Sequence, residues 1–91
     1  MKTAQDPLAA VDELLSQATW LPASNARGAL RRAAGLTQAQ VAAALGVGRV
    51  QVARWETDRA EPSGVRRRTY SQLLQGLAQQ HPDVMTSTAS P

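Results

Sequence analysis

Apolar residues along this chain recur three or four positions apart, and nowhere do β-branched or aromatic residues alternate with polar ones over the length of a strand. The pattern predicts an all-α fold, a compact bundle of four to five short helices. Asp6 is a good N-cap type and Pro7 suits a first helical position, after which Leu8, Val11, Leu15 and Ala18 share one side until Pro22 stops the segment. A second helix is expected from about Ser24, read as its cap, to Ala34, with Ala26, Leu30 and Ala33 or Ala34 as its apolar stripe and Gly35 as its stop.

Thr37 and Gln40 have the spacing of a capping box, in which a hydroxyl accepts from the amide three residues on and the glutamine side chain accepts from the cap amide. The helix they open turns Val41 and Leu45 inward, keeps a narrow profile through Ala42, Ala43 and Ala44, and ends at Gly46, which suits a left-handed turn. The next helix starts near Gly48 or Arg49 and runs to about Thr57. At about 100° per residue, Arg49, Val50, Ala53, Arg54 and Thr57 fall within an arc of about 140°, with Val52 and Trp55 near the opposite side. One face packs, and the other is free. Asp58 to Pro62 read as a loop. Ser63 then caps a last helix with Val65, Thr69, Leu73 and Leu77 at helical spacing and Tyr70 and Leu74 beside them, ended by His81 and Pro82. Residues 81–91, rich in Ser, Thr, Ala and Pro, are expected to be a disordered tail.

The 91 residues suffice for one small core and not for a cleft between domains. With no cysteine and one histidine, His81, neither a disulfide framework nor a thiolate or multi-histidine metal site can form, and no cofactor is expected. His81 at a helix end is most simply a partner of the helix dipole. Paired carboxylates, a nucleophile beside a base and a phosphate loop are missing, since Gly46-Val47-Gly48 lacks a third glycine and a preceding strand, so the chain does not read as an enzyme. No apolar run is long enough for a bilayer, and the first residues lack the apolar stretch of a signal peptide, so a cytoplasmic protein is expected, nucleoid-associated when bound to DNA.

Charge adds more than its net value of +3 suggests. Residues 1–23, an acidic segment with one amphipathic helix, carry Lys2 against Asp6, Asp12 and Glu13 and sum to −2. Residues 24–80 carry nine arginines against Glu56, Asp58 and Glu61 and sum to +6, and Asp83 in the tail completes the total. A polyanion is the natural partner of that field. The excess of arginine over lysine and the many alanines carry a compositional association with GC-rich bacterial genomes.

From Ala29 to Leu77 the sequence resembles the Xre or Cro/repressor-type helix-turn-helix family. The likeness rests on Gly35-Leu36-Thr37-Gln38, Val41-Ala42, Leu45-Gly46-Val47, Val52, Trp55-Glu56 and a proline, Pro62, six residues beyond that glutamate. It implies that residues 24–80 are a lambda-repressor-like DNA-binding domain. By the same resemblance Arg49, Val50 and Arg54 touch base edges, where arginine offers two donors to guanine and valine meets a thymine methyl. Gln38, at a helix N-terminus, and Gln51 and Arg59 are implied to be backbone contacts. Arg31, four residues before Gly35, is implied to form a structural ion pair with Glu56 and not to touch DNA.

Two positions depart from the family pattern. Gly48 stands where a capping serine or threonine is frequent, and Asp58 where a glycine is, although aspartate tolerates the left-handed region. Arg66, Arg67 and Arg68 lie beyond the family's usual contacts, and as three consecutive helical residues they point in different directions. The function expected is a sequence-specific transcriptional regulator, a repressor that binds double-stranded DNA at an inverted repeat as a homodimer. The alternative is an antitoxin or adaptor of the same fold that works through a protein partner held by the N-terminal helix or the tail. The N-terminal helix, with Leu8, Val11, Leu14 and Leu15, is expected to cover the chain's own core rather than pair with its copy.

Overall fold

The computed structural model describes residues 7–18 and 20–89, and the side chains of these except residues 12, 13, 15–18 and 87–89. Among these residues six helices follow one another: α1 (Pro7–Ala18), α2 (Ser24–Ala33), α3 (Gln38–Leu45), α4 (Arg49–Glu56), α5 (Gly64–Gln80) and α6 (Pro82–Ala89). Among the described residues there is no strand, and no helix is long and apolar enough to cross a membrane.

The core draws on four helices. Leu30 of α2, Val41 and Ala42 of α3, Val52 and Trp55 of α4, and Tyr70, Leu74 and Leu77 of α5 form one buried cluster. Trp55 and Tyr70 stack at its centre with ring centroids 4.9 Å apart and planes tilted by 34°. Leu36, Val47 and Ala60, one from each connecting loop, pack against the cluster, so the short turns are pinned from inside as well as by their backbone bonds.

Local chemistry sets the helix ends. The capping box of α3 is formed in both directions, Gln40 N to Thr37 Oγ1 at 3.0 Å and Thr37 N to Gln40 Oε1 at 2.8 Å. Where α3 ends, Gly46 adopts φ 72° and the Val47 amide donates to Ala42 O at 2.9 Å, which reverses the chain into α4. Most side chains with a Cβ are strained at that φ by roughly 1–2 kcal/mol, so glycine is the favoured residue of the turn. The same bond pattern closes α4, where Arg59 N donates to Arg54 O at 2.9 Å and Asp58 takes φ 60° in place of the family's glycine.

The structure departs from the sequence expectations in four places. Ser24 is the first residue of α2 and not its cap; Ala23 holds the cap position and its carbonyl accepts from Ala26 N at 2.9 Å. The buried stripe of α5 is Tyr70, Ser71, Leu74 and Leu77, so Val65 (63% exposed) and Thr69 face outward. The stripe is rotated because Tyr70 must meet Trp55, and because Ser71 is no polar intruder: its hydroxyl donates to Trp20 O and accepts from Gln75 Nε2 at 2.9 Å. Residues 82–89 form α6, not a disordered tail, and Val84 and Met85 pack against the core from the side of α2 and α5. Finally, Leu8, Val11 and Leu14 of α1 are largely exposed, and α1 meets the body chiefly through α5, so the described part of its apolar row does not cover the core. Asp6 and the side chains of Leu15 and Ala18 lie outside the described residues.

Candidate nucleic-acid interface

Helix α4 has eight residues and two unlike faces. Val52 and Trp55 are buried, while Arg49, Val50, Arg54 and Thr57 are exposed and Ala53 is partly so. The packed face fixes the rotation of the helix about its axis, which in turn fixes where the two guanidinium groups and the valine stand. Gly48 occupies the N-cap without a side-chain bond, as the departure from the family's hydroxyl residue implied. Gln51 lies half-buried beside this face, and Arg59 is exposed in the loop after α4.

A chain of hydrogen bonds ties the exposed face to the interior. Arg31 Nε donates to Glu56 Oε2 at 2.6 Å and Arg31 Nη2 to Glu56 Oε1 at 3.1 Å, a two-point contact between α2 and the end of α4. Arg31 Nη1 also donates to Leu36 O at 2.9 Å. The bonded Glu56 carboxylate raises the Arg31 pKa above its ordinary value despite the opposing cost of burial. Gln38 Nε2 donates to the same Glu56 Oε1 at 3.0 Å, and Gln38 Oε1 accepts from Arg49 Nη1 at 3.0 Å. The side chain implied to reach a phosphate thus also bridges the internal acid and the exposed Arg49. It gives that guanidinium an acceptor on the exposed face.

The approach of α2 to α4 depends on Gly28. A Cβ built there would lie 3.0 Å from Glu56 Oε1 and 3.0 Å from Arg32 Nη1, tighter than nine in ten such contacts, so these side-chain ends must give by a few tenths of an ångström. Gly28→Ala is expected to push the Glu56 carboxylate off Arg31 at a cost that exceeds the roughly 1 kcal/mol alanine gains over glycine inside a helix, leaving a net loss of about 1 kcal/mol, measurable as a shifted urea midpoint. A midpoint equal to wild type would show that the Glu56 carboxylate moves aside without leaving Arg31.

Arg27 is the residue that sequence reasoning missed. Counted among the nine basic groups, it is buried, with Nε donating to Pro22 O at 2.8 Å and Nη1 to Trp55 O at 3.0 Å and Glu61 Oε1 at 2.9 Å. It fastens the loop before α2 to the end of α4 and the loop beyond. The available signal was its spacing, one helical turn before Arg31, which puts both on the side of α2 that meets α4. Arg67 Nη1 holds the other oxygen, Glu61 Oε2, at 3.3 Å. The Arg27 hydrogen bond, helped by Arg67, holds the Glu61 carboxyl below its ordinary pKa against a small cost of burial. Among the described residues, three of the nine arginines are therefore paired with acids, and the outward field comes from the remainder, Arg49, Arg54, Arg59 and Arg66 among them.

No group of three or more His, Asp or Glu residues among those described is arranged to hold a metal. Comparison with curated proteins and with solved structures returns no match. A family model described as Helix-turn-helix matches residues 28–64, which run from within α2 through α3, the Gly46 turn and α4 to the first residue of α5. With the exposed arginine face on the second helix of the turn, residues 28–64 of this chain are a helix-turn-helix domain of the Xre/Cro-repressor type, a family of DNA-binding regulators.

Proposed function

We propose that the protein is a sequence-specific transcriptional repressor that occupies an inverted-repeat operator as a homodimer. The observation that carries this reading is the face of α4, where Arg49, Val50 and Arg54 stand exposed on a helix whose other side is locked to the core. Set into a major groove, each arginine can offer two donors to N7 and O6 of a guanine, and Val50 meets a thymine methyl. Gln38, Gln51 and Arg59 flank this face and serve as backbone contacts, setting register and not sequence. One such module buries too little DNA for high selectivity, so two copies on half-sites roughly 34 Å apart are required.

Selection of bound fragments from random duplex DNA at near-physiological salt tests the proposal, because weak electrostatic binding is suppressed there. Enrichment of an inverted repeat is the expected result; no enrichment by a folded protein overturns it. On the selected site, Arg49→Ala or Arg54→Ala is expected to cost about 1–3 kcal/mol and relax preference at one or two positions. Arg59→Ala should weaken all sequences alike. Equal losses on selected and unrelated duplexes for all three variants would refute the division of roles.

One observation favours a second reading, an adaptor or antitoxin working through a protein partner. The row Leu8, Val11 and Leu14 on α1 is solvent-facing, which suits an apolar groove on another chain. Deleting residues 1–18 separates the two. The cut spares the carbonyl of Trp20 that accepts from Ser71, the packing of Leu21, and the Pro22 carbonyl that accepts from Arg27. Loss of a co-purifying protein with DNA binding intact supports the adaptor.

A further inference from the structure

Beside α4, a groove of about 470 Å³ runs between the α3–α4 turn and the start of α5. Gly46 and Gly48 from the turn, Gln51 and Trp55 from α4, and Ser63 and Arg66 at the start of α5 are among the residues that line it. We propose that this groove is a binding site for a DNA phosphodiester, with Arg66 supplying the charge. The proposal rests on the DNA-binding reading above and adds to it an anchor on α5, outside the face that reads bases.

The three consecutive arginines of α5 separate into different roles. Arg66 lines this groove, and its guanidinium has no acid within ion-pair distance among the described residues. Arg67 is engaged with Glu61. Arg68 lines a different groove with Val65, Thr69 and Gln72. Helical geometry explains the split, since successive side chains point about 100° apart.

What else meets the groove is suited to an anion. A phosphodiester accepts hydrogen bonds and donates none, and Gln51 and Arg66 both bring donors. The seventeen-residue α5 begins here, its N-cap Ser63 makes no side-chain cap bond, and the positive end of its dipole faces the same space. Trp55 is 1% exposed, and its Nε1–H has no acceptor within the fold. A buried donor left in that state is one that an incoming oxygen can satisfy. The acid in the lining, Glu61, is neutralised: its Oε1 is held by Arg27 and its Oε2 by Arg67. Gln51 sits one residue from Val50, so a phosphate held here would fix the strand next to the bases that α4 reads.

The test is fluorescence anisotropy of a short mixed-sequence duplex across a salt series, with wild type, Arg66→Gln and Arg68→Gln compared. Arg66→Gln is expected to weaken binding several-fold regardless of sequence and reduce the slope of log affinity against log salt by about 1, while Arg68→Gln changes neither. In a Trp20→Phe background the single remaining indole N–H resonance should move when the duplex is added. An Arg66→Gln protein with wild-type affinity and slope, or an unmoved indole resonance on a duplex that binds, overturns the proposal while leaving the DNA reading intact. A wild-type protein that fails to bind the duplex at low salt overturns both.

Discussion

Replacing Trp55 by alanine is expected to destabilise the domain by about 3–5 kcal/mol, enough to leave much of the protein unfolded at physiological temperature. The cluster that holds four helices together has eight buried members among the described residues, and Trp55 is the largest. Its ring stacks on Tyr70, and its backbone carbonyl accepts from the buried Arg27, so one residue ties α4 to α5 by its side chain and to α2 by its main chain. The alanine variant keeps the second tie and loses the first. Trp55→Phe should cost much less, because a ring is retained and the Nε1–H it removes has no acceptor within the fold. Urea unfolding followed by helical circular dichroism measures both. A loss below about 1 kcal/mol for the alanine variant would mean that the core closes over the gap, and that the stack with Tyr70 carries little of the stability.

How far the fold could be read beforehand depended on whether each feature was local. The capping box of Thr37 and Gln40, the turn at Gly46 and the two faces of α4 follow from side chains within a few residues of one another, and they stand where the spacing put them. The stripe of α5 was displaced because its orientation is decided across the core: Val65 and Thr69 fit a helical spacing as well as Tyr70 and Leu74 do, and only the position of Trp55 chooses between them. Helix α6 escaped for a similar reason. Its Ser and Thr content reads as tail, yet two apolar residues, Val84 and Met85, find a surface on the body and order the segment by tertiary contact. Arg27 was hidden because charge alone marks it as surface; what buries it is a set of carbonyls that only the folded chain assembles. The residues of the exposed α4 face were all legible. The bridge from Glu56 through Gln38 to Arg49 was not, since it joins three separate stretches of chain.

That bridge makes Glu56→Ala the most informative variant after Trp55, with an expected loss of about 3–5 kcal/mol in stability and a second, separable effect on DNA. The Glu56 side chain is 7% exposed and that of Arg31 12%, so removing the acid leaves a nearly buried guanidinium whose remaining contact is the carbonyl of Leu36. The cost arises mainly from that stranded charge. Arg31→Leu combined with Glu56→Leu, which removes both charges, should therefore recover a large part of the stability. Gln38→Ala removes its own two bonds, to Glu56 and to Arg49: Arg31 and Glu56 stay paired, and Arg49 loses its acceptor on α3. Its stability should stay close to wild type while preference at the base read by Arg49 falls, because an arginine free to swing gives up part of the two-donor geometry that selects guanine. Urea unfolding and binding to matched and singly substituted operator duplexes, measured on the same three proteins, separate the effects. If Gln38→Ala lost stability as Glu56→Ala does and kept full base preference, the bridge would be a structural brace and not a means of aiming Arg49.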